Sequence, residues 1–157
     1  MPIVLGLDIS YTRTGMVWIT GTRDNPVVSG YKTMKFSTSP LQINRNVAKI
    51  VAEIIPNVAD LAIIEGPAFG VPNKVTLAQL IELSFAFKLV LSARDIGWIV
   101  IPPSKARRDI IGKGNAKKPF VADELLRRWG IWFDSDPGHD LSDAAVLALW
   151  GLQEKCK

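Results

Sequence analysis

Four acidic side chains carry the first chemical signal in the chain. Asp8 closes the apolar run Ile3-Val4-Leu5-Gly6-Leu7, and Glu65 closes a second run, Leu61-Ala62-Ile63-Ile64. Asp140 and Asp143 stand three apart in Asp140-Leu141-Ser142-Asp143-Ala144. An ionised carboxylate beside a buried strand is costly unless a cation or hydrogen bonds compensate it. Spacing of three on a helix puts both aspartates on one face. Singly, each acid has an ordinary explanation, and Asp140 and Asp143 at a helix start equally suit capping or dipole compensation. Four acids from two strands and one helix fit a site for divalent metal. Hard oxygen donors, without cysteine and with one histidine at most, point to Mg²⁺ or Mn²⁺. Two such ions about 3.5 to 4 Å apart would activate a water and stabilise the leaving oxygen in an in-line phosphoryl displacement.

A second signal is basic. Net charge is only +4, but Lys105, Arg107, Arg108, Lys113, Lys117, Lys118, Arg127 and Arg128 crowd into one stretch. Asp123 with Arg127 and Glu124 with Arg128 make i,i+4 pairs that explain the last two arginines without a ligand. From Lys105 to Lys118 the stretch reads as unpaired, which suits a polyanionic partner.

These residues need elements to position them. Ile3 to Ser10 reads as a strand buried on both faces. A polar turn leads to a second strand at Met16–Thr20, and a third lies within Val27–Phe36, so three antiparallel strands open the chain. Ser39-Pro40 starts a helix that runs to Pro56. The fourth strand, Leu61–Ile64, breaks into the Gly- and Pro-rich loop 66–73, with Phe69 at its centre either tucked into the core or offered as a wedge or stacking platform. A helix from about Val75 to Arg94 is apolar on more than one side, which in so small a domain suits a homodimer across a twofold axis. Trp98–Ile101 is the fifth strand, stopped by Pro102-Pro103. The basic segment follows, then a helix capped by Asn115 or Lys118 and running to about Trp129. The aromatics of Trp129-Gly130-Ile131-Trp132-Phe133 read as core, and a last helix starts near Asp140. The order is βββαβαβαα, a five-stranded mixed sheet flanked by helices, in which a right-handed crossover brings strands one and four, and with them Asp8 and Glu65, side by side.

The bounds agree. At 157 residues the chain is one α/β domain, 1–157, able to bury its own core. Its one cysteine, Cys156, fits a reducing cytoplasm. No secretory signal opens the chain, and the apolar stretch from Leu77 to Ala93 contains Glu82 and Lys88 and reads as short of a membrane span.

Gly6-Leu7-Asp8, Ile64-Glu65, Gly112-Lys113-Gly114-Asn115-Ala116-Lys117-Lys118 and Asp140-Leu141-Ser142-Asp143-Ala144 together resemble RuvC, the Holliday-junction resolvase family of the RNase H-like superfamily. The resemblance runs essentially end to end, and the short, divergent sequence resembles a bacteriophage-encoded member. It implies an RNase H-like fold, a homodimer on branched DNA, and paired nicks in four-way junctions that leave 5′-phosphate ends. It also implies that Asp8, Glu65, Asp140 and Asp143 hold two Mg²⁺, with no small-molecule cofactor. Lys118 falls on the family's basic position near the scissile phosphate, where it would stabilise developing charge. Arg107 falls near a second DNA-contacting position. Phe69 resembles the aromatic that wedges into the junction, one residue further from the glutamate than expected. Lys105, Arg108, Lys113 and Lys117 complete the expected DNA contacts. His139 suits a local structural role or a phosphate contact.

Three other readings compete. A Gly-x-Asp-x-Ser turn also opens actin-like ATPase domains, but these need a second similar domain. An RNase H acting on RNA–DNA hybrids shares the fold and metals. A non-catalytic junction binder has no need for all four acids.

Overall fold

The computed structural model describes residues 1–66 and 73–155. Five strands form one sheet: β1 (Val4–Asp8), β2 (Thr14–Gly21), β3 (Pro26–Met34), β4 (Leu61–Glu65) and β5 (Gly97–Ile101). Their spatial order is β3-β2-β1-β4-β5. β2 pairs antiparallel with β1 and β3, whereas β4 pairs parallel with β1 and β5. All five residues of β1 are buried, as its uninterrupted apolar run requires of a central strand. Phe69 and Cys156 lie outside the described residues.

Strand alternation sorts the side chains between two cores. Leu5, Leu7, Ala62 and Ile64 face α1 (Ile43–Ile54) and α2 (Lys74–Ala93). Val4, Leu61 and Ile63 face the opposite layer of α3 (Pro103–Ile111), α4 (Lys118–Trp129) and α5 (Asp140–Lys155). Period two then puts Asp8 on the side of Val4 and Gly6, and Glu65 on the side of Leu61 and Ile63. Both acids thus reach the α5 layer.

α5 lies against the middle of the sheet, buried continuously from Leu141 to Leu152. Such close packing depends on bare backbone: a Cβ on Gly6 would come 1.9 Å from the Ala144 carbonyl oxygen, and one on Gly15 would come 2.3 Å from that of Asp140. On the helix, Gly151 gives the matching clearance, where a Cβ would meet Val4 and Ile63 at 2.6 and 2.7 Å.

Several expectations need correction. Residues 103–111 form a helix, so the order is βββαβαβααα. Pro103 occupies its first turn, where a missing N–H costs nothing, and Gly112 closes it at φ 89°; one Pro-Pro pair both ends β5 and opens α3. On that helix Lys105 pairs with Asp109 at 2.9 Å and Arg108 lies 3.6 Å from the same carboxylate, so the basic stretch is partly compensated. The N-cap position of α4 is Lys117, with no side-chain capping hydrogen bond, instead of Asn115 or Lys118. Trp132 is 55% exposed and not core. Finally, α2 begins at Lys74, and its 20 residues are long and apolar enough to cross a membrane by length and composition. Its Leu83, Phe87, Val90 and Leu91 are buried against the sheet. Ile81, Phe85 and Leu89 form an exposed i,i+4 stripe beside an open, largely apolar cavity of about 380 Å³ between α1 and α2.

Candidate active site

β1 and β4 run in parallel register through Leu7 and Ile64, so the next residue of each strand brings Asp8 beside Glu65. Asp143 comes down from the first turn of α5. Oxygen atoms of Asp8, Glu65 and Asp143 lie within 4.8 Å of one another. Asp140 stands outside that trio and joins it through Lys118, the first residue of α4. The Lys118 ammonium nitrogen is 3.1 Å from Asp140 Oδ1, 3.2 Å from Asp143 Oδ2 and 3.5 Å from Asp8 Oδ2. Arg107 of α3 supplies the second cation: its Nη2 donates to both oxygens of Asp143, at 3.1 and 3.0 Å, while Nη1 donates to the Ala116 carbonyl.

Charge balance is the dominant physical fact of the site. Two ionised carboxylates within 4.8 Å of each other repel by at least about 3.5 kcal/mol at an effective dielectric constant near 20. Four carboxylates against two cations leave two negative charges when all are ionised. Burial, the neighbouring Asp8 charge and a shared hydrogen bond push the Glu65 carboxyl well above the usual carboxylate range. Burial also raises Asp8, with Asp143 and Asp140 adding to the shift and Lys118 opposing it. Burial works against the charge on Lys118, but Asp8, Asp143 and Asp140 outweigh it and hold the ammonium above its ordinary pKa. An all-oxygen donor set short by two positive charges fits a hard divalent cation.

The remaining expected contacts spread outwards from this centre. Lys113 sits 5.5 Å over the Phe120 ring, Lys105 5.5 Å over that of Trp150, and Lys117 and Arg108 are exposed. Arg107, expected on DNA, is engaged with Asp143 and Ala116 within the site. His139 adopts φ 56° and its carbonyl accepts from the Asp143 N–H, a structural role at the start of α5.

One positioning residue escaped the sequence reading. Asp136 accepts from Leu141 N and Ser142 N at 3.0 Å each and from Ser142 Oγ at 2.8 Å, satisfying the first turn of α5. The run Asp136-Pro137-Gly138-His139, with His139 N donating to Asp136 O, is a β-turn whose residue types announce it. A Cβ on Gly138 would lie 2.7 Å from Asp140 Oδ2, so a side chain there would push the Asp140 carboxylate aside.

Comparison with solved structures gives matches over nearly the whole of this chain. Thermus thermophilus RuvC superposes with a TM-score of 0.80 at 18% identity, covering 98% of this chain and 96% of that one. The fold is that of RuvC. The T. thermophilus RuvC complex with Holliday junction substrate matches with a TM-score of 0.83 at 17% identity, over 98% and 97% of the two chains. The yeast mitochondrial Holliday junction resolvase Ydc2 shares the RuvC fold more distantly, with a TM-score of 0.72 at 10% identity, over 98% of this chain and 78% of its own. No protein-family model matches the sequence. No curated protein matches it either.

Proposed function

We propose that the chain is a structure-selective endodeoxyribonuclease that resolves four-way DNA junctions by paired nicks. The observation that carries this reading is the convergence of Asp8, Glu65 and Asp143, with Asp140 and Lys118 beside them, on a RuvC fold. The 157 residues act as one nuclease domain in the cytoplasm, a bacteriophage-encoded member of this group.

Asp8, Glu65, Asp140 and Asp143 would hold two Mg²⁺, with Mn²⁺ as a substitute. The metal would supply an activated water and Lewis-acid stabilisation of the phosphodiester oxygens. The chain's own residues do the rest. Arg107 fixes the Asp143 carboxylate, and Asp136 fixes the helix turn that carries both aspartates. Lys118, held protonated by three carboxylates, is placed to move onto the scissile phosphate and stabilise the charge that develops there. Exposed Lys113, Lys117 and Arg108 lie on neighbouring segments and suit the flanking DNA backbone.

A second active site comes from a second copy. The exposed Ile81, Phe85 and Leu89 stripe on α2, beside the apolar cavity against α1, is the surface we assign to a twofold homodimer. Two such sites nick symmetric strands.

The test is incubation of purified protein with a mobile four-way junction, a linear duplex and an RNA–DNA hybrid, with and without Mg²⁺, resolved on a denaturing gel. Symmetric metal-dependent nicks confined to the junction are expected. Binding without nicks would leave a junction-binding protein, and preferential loss of the RNA strand would redirect the assignment to hybrids.

A further inference from the structure

An open cavity of about 210 Å³ lies between α4 and α5, next to the acid cluster but sharing none of its four carboxylates. Its walls include Ala122, Asp123 and Leu126 of α4, Trp132 and Phe133 of the following segment, and His139. Phe133 is a fixed wall, held edge-on against Tyr31 with ring centroids 5.0 Å apart. Trp132 takes part in no ring pair among the described residues, and more than half of its surface is open to solvent. A large aromatic ring kept at the mouth of a cavity has hydrophobic area to offer a ligand.

Chemistry and position narrow the ligand. Among the described residues no lysine or arginine lines the cavity, whereas Asp123 and Asp136 do, so it disfavours a phosphate and suits an uncharged, flat ring. Lys118, Ala122 and Leu126 follow one another at one-turn spacing along the same face of α4, with about 5.4 Å per turn. His139 directly precedes Asp140. The cavity therefore begins about one helical turn along α4 from Lys118, whose ammonium reaches Asp8, Asp140 and Asp143. We propose that this cavity is a nucleobase subsite: it takes an unstacked base adjacent to the scissile phosphate and stacks it on Trp132. This inference rests on the nuclease reading above and adds a contact that orients the strand being cut.

The test combines Trp132→Ala and Trp132→Phe with junctions that carry one abasic residue at each position flanking the cut, in single-turnover cleavage by the full chain. Stacking on an aromatic ring is strong enough that Trp132→Ala should slow cleavage of the intact junction about 10-fold. Trp132→Phe should stay within about 3-fold of wild type, since a phenyl ring still stacks. At one position the abasic substitution should slow the wild type by a similar factor and slow Trp132→Ala no further, a coupling that general loosening of the fold would not produce. Thermal unfolding of both variants should match wild type, because the ring is exposed. A Trp132→Ala protein that cuts at the wild-type rate, or abasic effects that multiply with it at every position, overturns the subsite while leaving the nuclease intact. A wild-type protein that leaves the junction uncut overturns the nuclease reading, and the subsite with it.

Discussion

Replacing Gly6 by alanine probes how the sheet and α5 assemble the site. An added Cβ would sit 1.9 Å from the Ala144 carbonyl oxygen and 2.8 Å from the Ala148 nitrogen, both helix backbone and so unable to rotate away. Ordinary contact begins near 3.4 Å, so α5 must retreat by about 1.5 Å. Two effects of opposite sign compete. Alanine in a strand is favoured over glycine by about 0.5 to 1 kcal/mol through backbone entropy. Overpacking a close-packed core costs about 1 to 3 kcal/mol, and more where backbone must move. With backbone on the receiving side the second effect wins, and a net loss of about 2 kcal/mol should lower the midpoint of thermal unfolding by about 5 °C. Asp140 and Asp143 ride on the same helix, so they recede from Asp8. Misplacement of about 1 Å in a catalytic group costs roughly 100-fold. Single-turnover junction cleavage should therefore fall by at least about that factor, well beyond what the stability loss explains. A Gly6→Ala protein as stable as wild type and cutting at the wild-type rate would refute the close-approach argument.

Other perturbations separate the roles of neighbouring groups. Asp136→Ala removes three hydrogen bonds from the first turn of α5 and should destabilise by about 1 to 2 kcal/mol in denaturant unfolding; unchanged stability would deny it a capping role. Lys118→Ala should slow junction cleavage by about 100-fold while junction affinity changes only a few-fold, and an unchanged rate would reduce Lys118 to a surface cation. Glu65 and Asp8 titrate above the ordinary carboxylate range in the folded chain. Their contribution to stability is therefore complete below that range and is lost as pH rises through the raised values. Without divalent metal, the unfolding midpoint should fall as pH rises from about 4 through about 6 for Asp8 and about 9 for Glu65, and Mg²⁺ should restore it at the upper end. Glu124 and Asp109, whose pKa values are depressed by Arg127 and Lys105, act in the opposite sense and only at lower pH. A midpoint that rises with pH in the metal-free protein would contradict the charge-balance argument.

Much of the site was legible because alternation in a buried strand is rigid. Once Asp8 and Glu65 close apolar runs on parallel neighbours, period two delivers both to one face, and an Asp-x-x-Asp helix is the natural element to meet them. What stayed hidden depended on three-dimensional proximity. The Pro102-Pro103 pair reads as a stop, whereas Pro103 is also a good first-turn residue, and missing α3 concealed the Lys105–Asp109 pair. Arg107 carries no local mark of its engagement with Asp143, 36 residues away. Asp136 did carry one, the Asp-Pro-Gly turn, but its capping bonds reach five and six residues ahead, beyond the usual cap spacing. Trp132 looked like core because aromatic segments usually are, and only packing distinguishes the exposed ring from the buried Ile131 beside it.

The most direct measurement is cleavage of a four-way junction by wild type and Asp8→Asn across a Mg²⁺ titration, with junction binding followed in parallel. The account predicts Mg²⁺-dependent paired nicks by the wild type. Asp8→Asn should leave no cleavage, and its junction affinity should be equal or higher, since one repelling carboxylate is gone. Wild-type activity in Asp8→Asn, or cleavage that persists without any divalent cation, would contradict the assignment of the acid cluster as the catalytic metal centre.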